Sequence, residues 1–199
     1  MTPAPERLGI LGGTFDPVHV GHLVAATEAR HQLALDRVLL VVAADPWQKH
    51  GGVAAGAEDR YDMVAAAIEG VDGLEPSRLE IERGGPSYTI DTVRALAGPD
   101  RSLYLIVGVD VAQQIDTWRN VDELPAAVTL AVVTRADAGG EVATPNLDGW
   151  RIAPVTMPRL DVSSTDIRTR LRTGAPVDYL VPPGAVRLMR ERRLYTPAE

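Results

Sequence analysis

The chain has 199 residues, of which 45% are apolar and 24% charged, and a net charge of −7 at pH 7. That length suits one domain, residues 1–199, with enough chain for a real core, and the acidic balance argues against nonspecific binding to nucleic acid or an anionic membrane. Cysteine is absent, which removes disulfide frameworks, thiol catalysis and cysteine-based metal sites; no run approaches the roughly 18 apolar residues of a membrane span and no apolar leader is visible, so a cytoplasmic setting is expected.

In chain order, Arg7–Leu11 (RLGIL) and Arg37–Ala43 (RVLLVVA) are continuous apolar runs, the pattern of strands buried on both faces of a parallel sheet. Gly21–Leu35 between them has helical spacing, so the segment reads as a strand–helix–strand crossover. Glu58–Glu69 predicts a helix, and Leu79–Arg83 (LEIER) alternates like an edge strand. Ser87–Ala97 reads as a helix with Ser87 as N-cap. Ser102–Val107 and Val128–Val133 are further strands. Ser163–Arg172 predicts a helix ended by Gly174, and Pro182–Arg193 a last one. No repeat or linker is visible. The sum is an α/β domain of Rossmann-like, doubly wound type, with a mostly parallel sheet and C-terminal helices.

Ligands in such sheets bind beyond the carboxyl ends of strands, and the unusual stretches lie there. GGTFDPVHVGH (residues 12–22) follows the first strand, DPWQKH (45–50) the second, and GVD (108–110) a later one. Lys49 is the only lysine beside 19 arginines, and Phe15 the only phenylalanine. Neither G-x-G-x-x-G nor G-x-x-x-x-G-K-[ST] is present. His19 and His22 would be neighbours on a helix, but no third metal ligand is evident and Pro17 argues for a turn, so no metal site is expected there. Gly12 and Gly13 let backbone approach a ligand closely. A helix starting near Gly21 points N–H groups at the same space, and two imidazoles can donate to phosphate oxygens. A structural turn whose histidines cap backbone groups is the alternative. Likewise Ser163-Ser164-Thr165 followed by Arg168 is either a capping box or a phosphate site of hydroxyls, helix N-terminus and guanidinium; finding both stretches in one chain favours the phosphate reading.

GGTFDPVHVGH resembles the G-G-x-F-x-P-x-H-x-G-H element of the nucleotidyltransferase superfamily, whose core is H-x-G-H, and SSTDIR resembles its S-S-T-x-[IL]-R element. Gly84–Thr92 (GGPSYTIDT), Gly108–Trp118 (GVDVAQQIDTW), Val132–Arg135, Tyr179–Pro182 and Leu194-Tyr195 extend the likeness, in order, to the bacterial nicotinate-nucleotide adenylyltransferases. The resemblance implies transfer of AMP from ATP to nicotinate mononucleotide, giving deamido-NAD (nicotinate adenine dinucleotide) and pyrophosphate, by direct attack with no covalent enzyme intermediate. It implies catalytic roles for His19, His22, Lys49 and Arg168. ATP would be bound by Gly12, Gly13, Thr14, Phe15, His19, His22, Gly108, Asp110, Ser164, Thr165 and Arg168. Nicotinate mononucleotide would meet Thr14, Asp16 and Lys49, with Trp118 stacked on the pyridine and the backbone at Tyr88-Thr89 receiving its carboxylate. Mg2+ would be held mainly through the ATP phosphates.

One departure is local. Relatives often carry a Pro-Pro-His-Lys-like loop where this chain has Asp45-Pro46-Trp47-Gln48-Lys49-His50, so Lys49 carries over and the loop's shape does not. Pantetheine-phosphate adenylyltransferase shares the first and last motifs and is the rival enzyme; nicotinamide mononucleotide is the rival acceptor. A non-catalytic nucleotide sensor on the same fold is the rival of another class. A homo-oligomer is compatible with the sequence.

Overall fold

A computed structural model describes residues 4–46, 53–135 and 147–196. Six strands form one sheet in the order β3-β2-β1-β4-β5-β6: β1 Glu6–Gly13, β2 Arg37–Val42, β3 Leu74–Ser77, β4 Arg101–Gly108, β5 Val128–Arg135 and β6 Ile152–Met157. β1 pairs in parallel with β4, β4 with β5 and β5 with β6. This order, with β1 inside and the strands numbered outward on each side, is the doubly wound arrangement expected. The apolar runs are strands because both faces are covered: Leu8, Ile10, Val38, Leu40, Leu105, Ile106, Leu130 and Val132 are all buried.

The chain resolves into two compact units built from alternating segments. The first comprises Met1–Gly12, Ala25–Leu39 and Tyr88–Arg159. Within it, Ala26 and Ala29 of helix α1 (Val20–Gln32) are fully buried. The Gln32 side-chain amide brackets the backbone of β6, donating to the Thr156 carbonyl (2.6 Å) and accepting from the Thr156 N–H (3.0 Å). That covers part of an edge strand. β6 itself was not anticipated from the sequence; Pro154 interrupts its pattern, and proline in a strand is tolerated at edges.

The second unit comprises Gly13–Val24, Leu40–Ser87 and Leu160–Glu199. Here helix α2 (Ala57–Ala67) packs against the last helix, α8 (Pro183–Glu191). Arg192 joins them by ion pairs to Asp59 and Asp62, both 2.7 Å. Gly184 lies against the Ala66 carbonyl, where an added Cβ would overlap backbone. Gly184→Ala is therefore expected to cost about 1–3 kcal/mol, the usual range for overpacking, and to lower the denaturation midpoint. An unchanged midpoint would show that the two helices move apart freely.

Leu79–Arg83, expected as an edge strand, is a short helix, α3, ended by Gly84 at φ +69°. Leu, Glu and Arg are good helix formers, and five residues are too few to separate a period of 2 from 3.6. Glu80, which alternation would have exposed, is 6% accessible. The helix predicted from Ser87 runs over Thr89–Leu96 (α4) with Tyr88 as N-cap. The Ser87 hydroxyl instead accepts the Ala44 N–H at 2.9 Å, holding the chain beyond β2. Among the described residues the remaining α-helices are α5 Val109–Ala112, α6 Leu124–Ala127 and α7 Ser164–Arg172. α7 ends as expected at Gly174 (φ +70°), with Ala175 N–H donating to the Arg170 carbonyl and Gly174 N–H to that of Leu171, a paired closure of the last turn.

Candidate functional site

β1 runs directly into residues 13–19, and the second unit holds both of the distinctive sequence elements. The turn is shaped by Phe15, a non-glycine residue at φ +50°. Its ring lies over Gly13, where a Cβ would approach it to 2.8 Å. Gly13 is thus required by Phe15, whereas Gly12 has open space around it. Phe15 also meets the His22 ring edge-on, with centroids 5.0 Å apart.

His19 and His22 stack, their ring centroids 3.7 Å apart and their planes 26° from parallel. The His19 backbone N–H donates to His22 Nδ1 at 3.2 Å. An imidazole whose Nδ1 accepts carries its proton on Nε2, so His22 presents a donor at its far edge. Stacked rings do not converge on a shared ion, and no group of three or more histidine or carboxylate side chains suited to a metal occurs among the described residues. The start of α1 is partly committed: Val20 N–H donates to the Leu180 carbonyl (3.0 Å) and His22 N–H to that of His19 (3.0 Å). The anion-binding N-terminus expected there therefore has fewer open donors than the sequence suggested.

The SSTDIR element lies against this turn. Ser163 is the N-cap of α7, its hydroxyl accepting Asp166 N–H (3.1 Å) and donating to the Asp166 carboxylate (2.6 Å). The capping function and the phosphate reading thus fall on different residues. Ser164 Oγ donates to the Pro17 carbonyl at 2.9 Å, and Arg168 Nη1 donates to the Asp16 carbonyl at 2.6 Å. Arg168 Nη2 also donates to Thr165 Oγ1 at 3.2 Å. Two segments some 150 residues apart in sequence are joined by the side chains that the phosphate reading singled out.

Asp16, expected to reach an acceptor, is 3% accessible. Its carboxylate accepts the N–H groups of Ala54 (2.9 Å) and Ala55 (3.1 Å) and the hydroxyl of Tyr195 (2.8 Å). Thr14 is half-buried, and its carbonyl accepts from Arg60 Nη1 at 2.7 Å. Arg60 is 1% accessible and also donates to the carbonyls of Ala55 (3.1 Å) and Ala44 (3.3 Å). Burial lowers its pKa and the Asp16 charge opposes that. No local pattern in the sequence marks Arg60, Ala54, Ala55 or a role for Tyr195. Within the sequence, Arg60 is one charge in an ordinary helical pattern.

The other expected site residues belong to the first unit. Gly108 and Asp110 are exposed at the start of α5. Tyr88 and Thr89 begin α4, and Trp118 is half-buried after the turn Ile115–Thr117. The Arg119 guanidinium lies over the Tyr88 ring at 4.5 Å, which brings the chain after Trp118 onto the start of α4. Lys49 lies outside the described residues. No helix among those residues is long and apolar enough to cross a membrane.

Residues 10–170 match the family model described as Cytidylyltransferase-like. The chain belongs to the cytidylyltransferase-like family. Within it, the chain is 42% identical over 194 residues to a protein of Corynebacterium kroppenstedtii named "Probable nicotinate-nucleotide adenylyltransferase", spanning 96% of this chain and 92% of that one. A Streptomyces coelicolor protein of the same name is 44% identical over 187 residues, 93% of this chain and 98% of that one. The fold is shared with the nicotinic acid mononucleotide adenylyltransferase of Plasmodium falciparum complexed with NaAD: TM-score 0.79 at 16% identity, covering 96% and 97% of the two chains. The cytidylyltransferase-like match takes in both the H-x-G-H turn and the SSTDIR helix.

Proposed function

We propose that this chain transfers AMP from ATP to nicotinate mononucleotide, forming nicotinate adenine dinucleotide and pyrophosphate. The acceptor is taken from the relatives' shared name and their sustained identity over nearly the whole chain. The observation that carries the chemistry is the union of the H-x-G-H turn with the SSTDIR helix through Ser164–Pro17 and Arg168–Asp16.

An oxygen of the acceptor's phosphate attacks the α-phosphorus of ATP, a new P–O bond forms, and the bond to the β-phosphate oxygen breaks with pyrophosphate leaving. No protein nucleophile is needed, so the protein's contribution is positioning and stabilisation of charge. In this reading the stacked His19 and His22 donate to the phosphates at the transferring end, and Gly12, Gly13 and the Thr14–Phe15 backbone line the same turn. Ser164, Thr165 and Arg168 grip the leaving phosphates, Lys49 adds a point charge, and Gly108 and Asp110 take the adenosine side. Trp118 stacks on the pyridine, and the N–H groups at Tyr88-Thr89 receive its carboxylate. Asp16, its oxygens engaged by protein donors, acts by holding the turn. Mg2+ would be held through the ATP phosphates, where it would neutralise charge on the polyphosphate. The reading carries a single catalytic domain over residues 1–199 and a cytoplasmic setting.

Pyrophosphate release from ATP and Mg2+ tests it, with nicotinate mononucleotide, nicotinamide mononucleotide and phosphopantetheine offered separately. The expected result is a clear preference in kcat/KM for nicotinate mononucleotide. Equal or greater efficiency with either other acceptor removes the assignment.

A further inference from the structure

Four segments of the second unit meet at Asp16. Its Oδ1 accepts the Tyr195 hydroxyl (2.8 Å) and the Ala55 N–H (3.1 Å), and its Oδ2 accepts the Ala54 N–H (2.9 Å). Arg168 Nη1 is bound to the Asp16 backbone carbonyl at 2.6 Å yet stays 3.8 Å from Oδ2. A guanidinium beside a carboxylate with open lone pairs closes to a charge-assisted hydrogen bond, about 2.7–2.9 Å long. Here three donors share the carboxylate's charge, two on Oδ1 and one on Oδ2, and Arg168 stops short of Oδ2. Tyr195 keeps its place with a left-handed backbone, φ +63°, a conformation uncommon for a bulky residue and maintained only where surroundings over-determine it. Burial and the Asp16 carboxylate push its phenol well above the ordinary range, so the hydroxyl remains a donor.

We infer that Tyr195 is a positioning residue that keeps Arg168 available to the substrate phosphates by occupying the Asp16 carboxylate. This rests on the reading of Arg168 as a phosphate-binding cation. Tyr195 itself touches no reacting atom. Without its hydroxyl the carboxylate loses its strongest neutral donor and its charge is less compensated, and Arg168, 3.8 Å from Oδ2, needs to move by only about 1 Å to reach that oxygen. Every Arg168 so engaged is withdrawn from the nucleotide.

Tyr195→Phe removes the hydroxyl and keeps the ring, and Asp16 retains two backbone donors. On the full chain, Tyr195→Phe is expected to weaken ATP binding about tenfold by calorimetry without acceptor, and to leave KM for nicotinate mononucleotide within about twofold. In an Arg168→Ala background, Tyr195→Phe should change ATP binding less than about twofold, because the arginine it protects is gone. Unchanged ATP affinity, a parallel rise in both KM values, or a full additive loss in the Arg168→Ala background overturns the inference; each would describe a tyrosine that only stabilises the fold. ATP binding is read without acceptor. A wild-type chain that binds ATP but does not adenylylate nicotinate mononucleotide would therefore sink the proposed acceptor and leave this comparison standing.

Discussion

Replacing His22 by alanine is expected to lower kcat by about a hundredfold or more, the scale seen when one preorganised transition-state donor is lost. The argument is geometric. His22 Nδ1 accepts the His19 backbone N–H, its ring meets that of Phe15 at 76°, and it is stacked on the ring of His19. These contacts hold the ring before substrate arrives, with its proton on Nε2. Fixing a donor in advance is what makes it effective, because no reorganisation is required as charge develops. His22→Asn separates the two functions of the ring: an amide oxygen can take over acceptance from His19 N–H but cannot supply a donor at the Nε2 position. Both variants should be slow, with His22→Asn retaining more of the wild-type thermal midpoint. Turnover within a few-fold of wild type in a folded His22→Ala protein would make the histidine structural.

Arg60→Met should produce the largest stability loss. Its guanidinium is buried and donates to three backbone carbonyls, those of Thr14, Ala44 and Ala55. It is also one of the positive charges beside buried Asp16. Methionine fills much of the volume but leaves the carbonyls without their donor and the carboxylate without that charge. Removing one partner from a buried charged network costs about 3–5 kcal/mol, and for a chain of this size each kcal/mol shifts the thermal midpoint by roughly 2–4 °C. A fall of about 10 °C is expected, read by calorimetry or circular dichroism. A midpoint within about 2 °C of wild type would mean that water replaces the guanidinium, and that Arg60 is not what holds residues 14, 44 and 55 together.

The site was legible in part for a definite reason. Its phosphate-facing candidates come in two dense clusters, GGTFDPVHVGH and SSTDIR, whose residue types are rarely concentrated in a plain turn or cap. Even so, the roles within SSTDIR divide in a way the letters do not reveal: Ser163 caps α7 while Ser164 ties the helix to Pro17. The supporting residues left no such trace. Arg60 sits in AEDRYDM, which reads as an exposed helical charge run, and its partners are backbone carbonyls that every residue carries. Tyr195 bonds to Asp16 across 179 positions, and no local pattern encodes a partner at that distance.

The sequence alone determined the strands that are buried on both faces, β1, β2, β4 and β5, because uninterrupted apolar runs have few other homes in a chain of this composition. It also marked two candidate clusters, GGTFDPVHVGH at the end of β1 and SSTDIR at the start of α7. Only the tertiary structure decided the short elements, in which β6 is an edge strand despite Pro154 and α3 is a helix despite its alternation. It alone decided the partners of the candidate groups: Asp16 is buried under three protein donors, His22 is stacked on His19 and meets Phe15, and Arg168 is held just short of a buried carboxylate. The physical difference is one of range. Periodicity and capping are local and are written in neighbouring residues, whereas the burial of a charge and the identity of its partners depend on segments that meet only after the chain has folded.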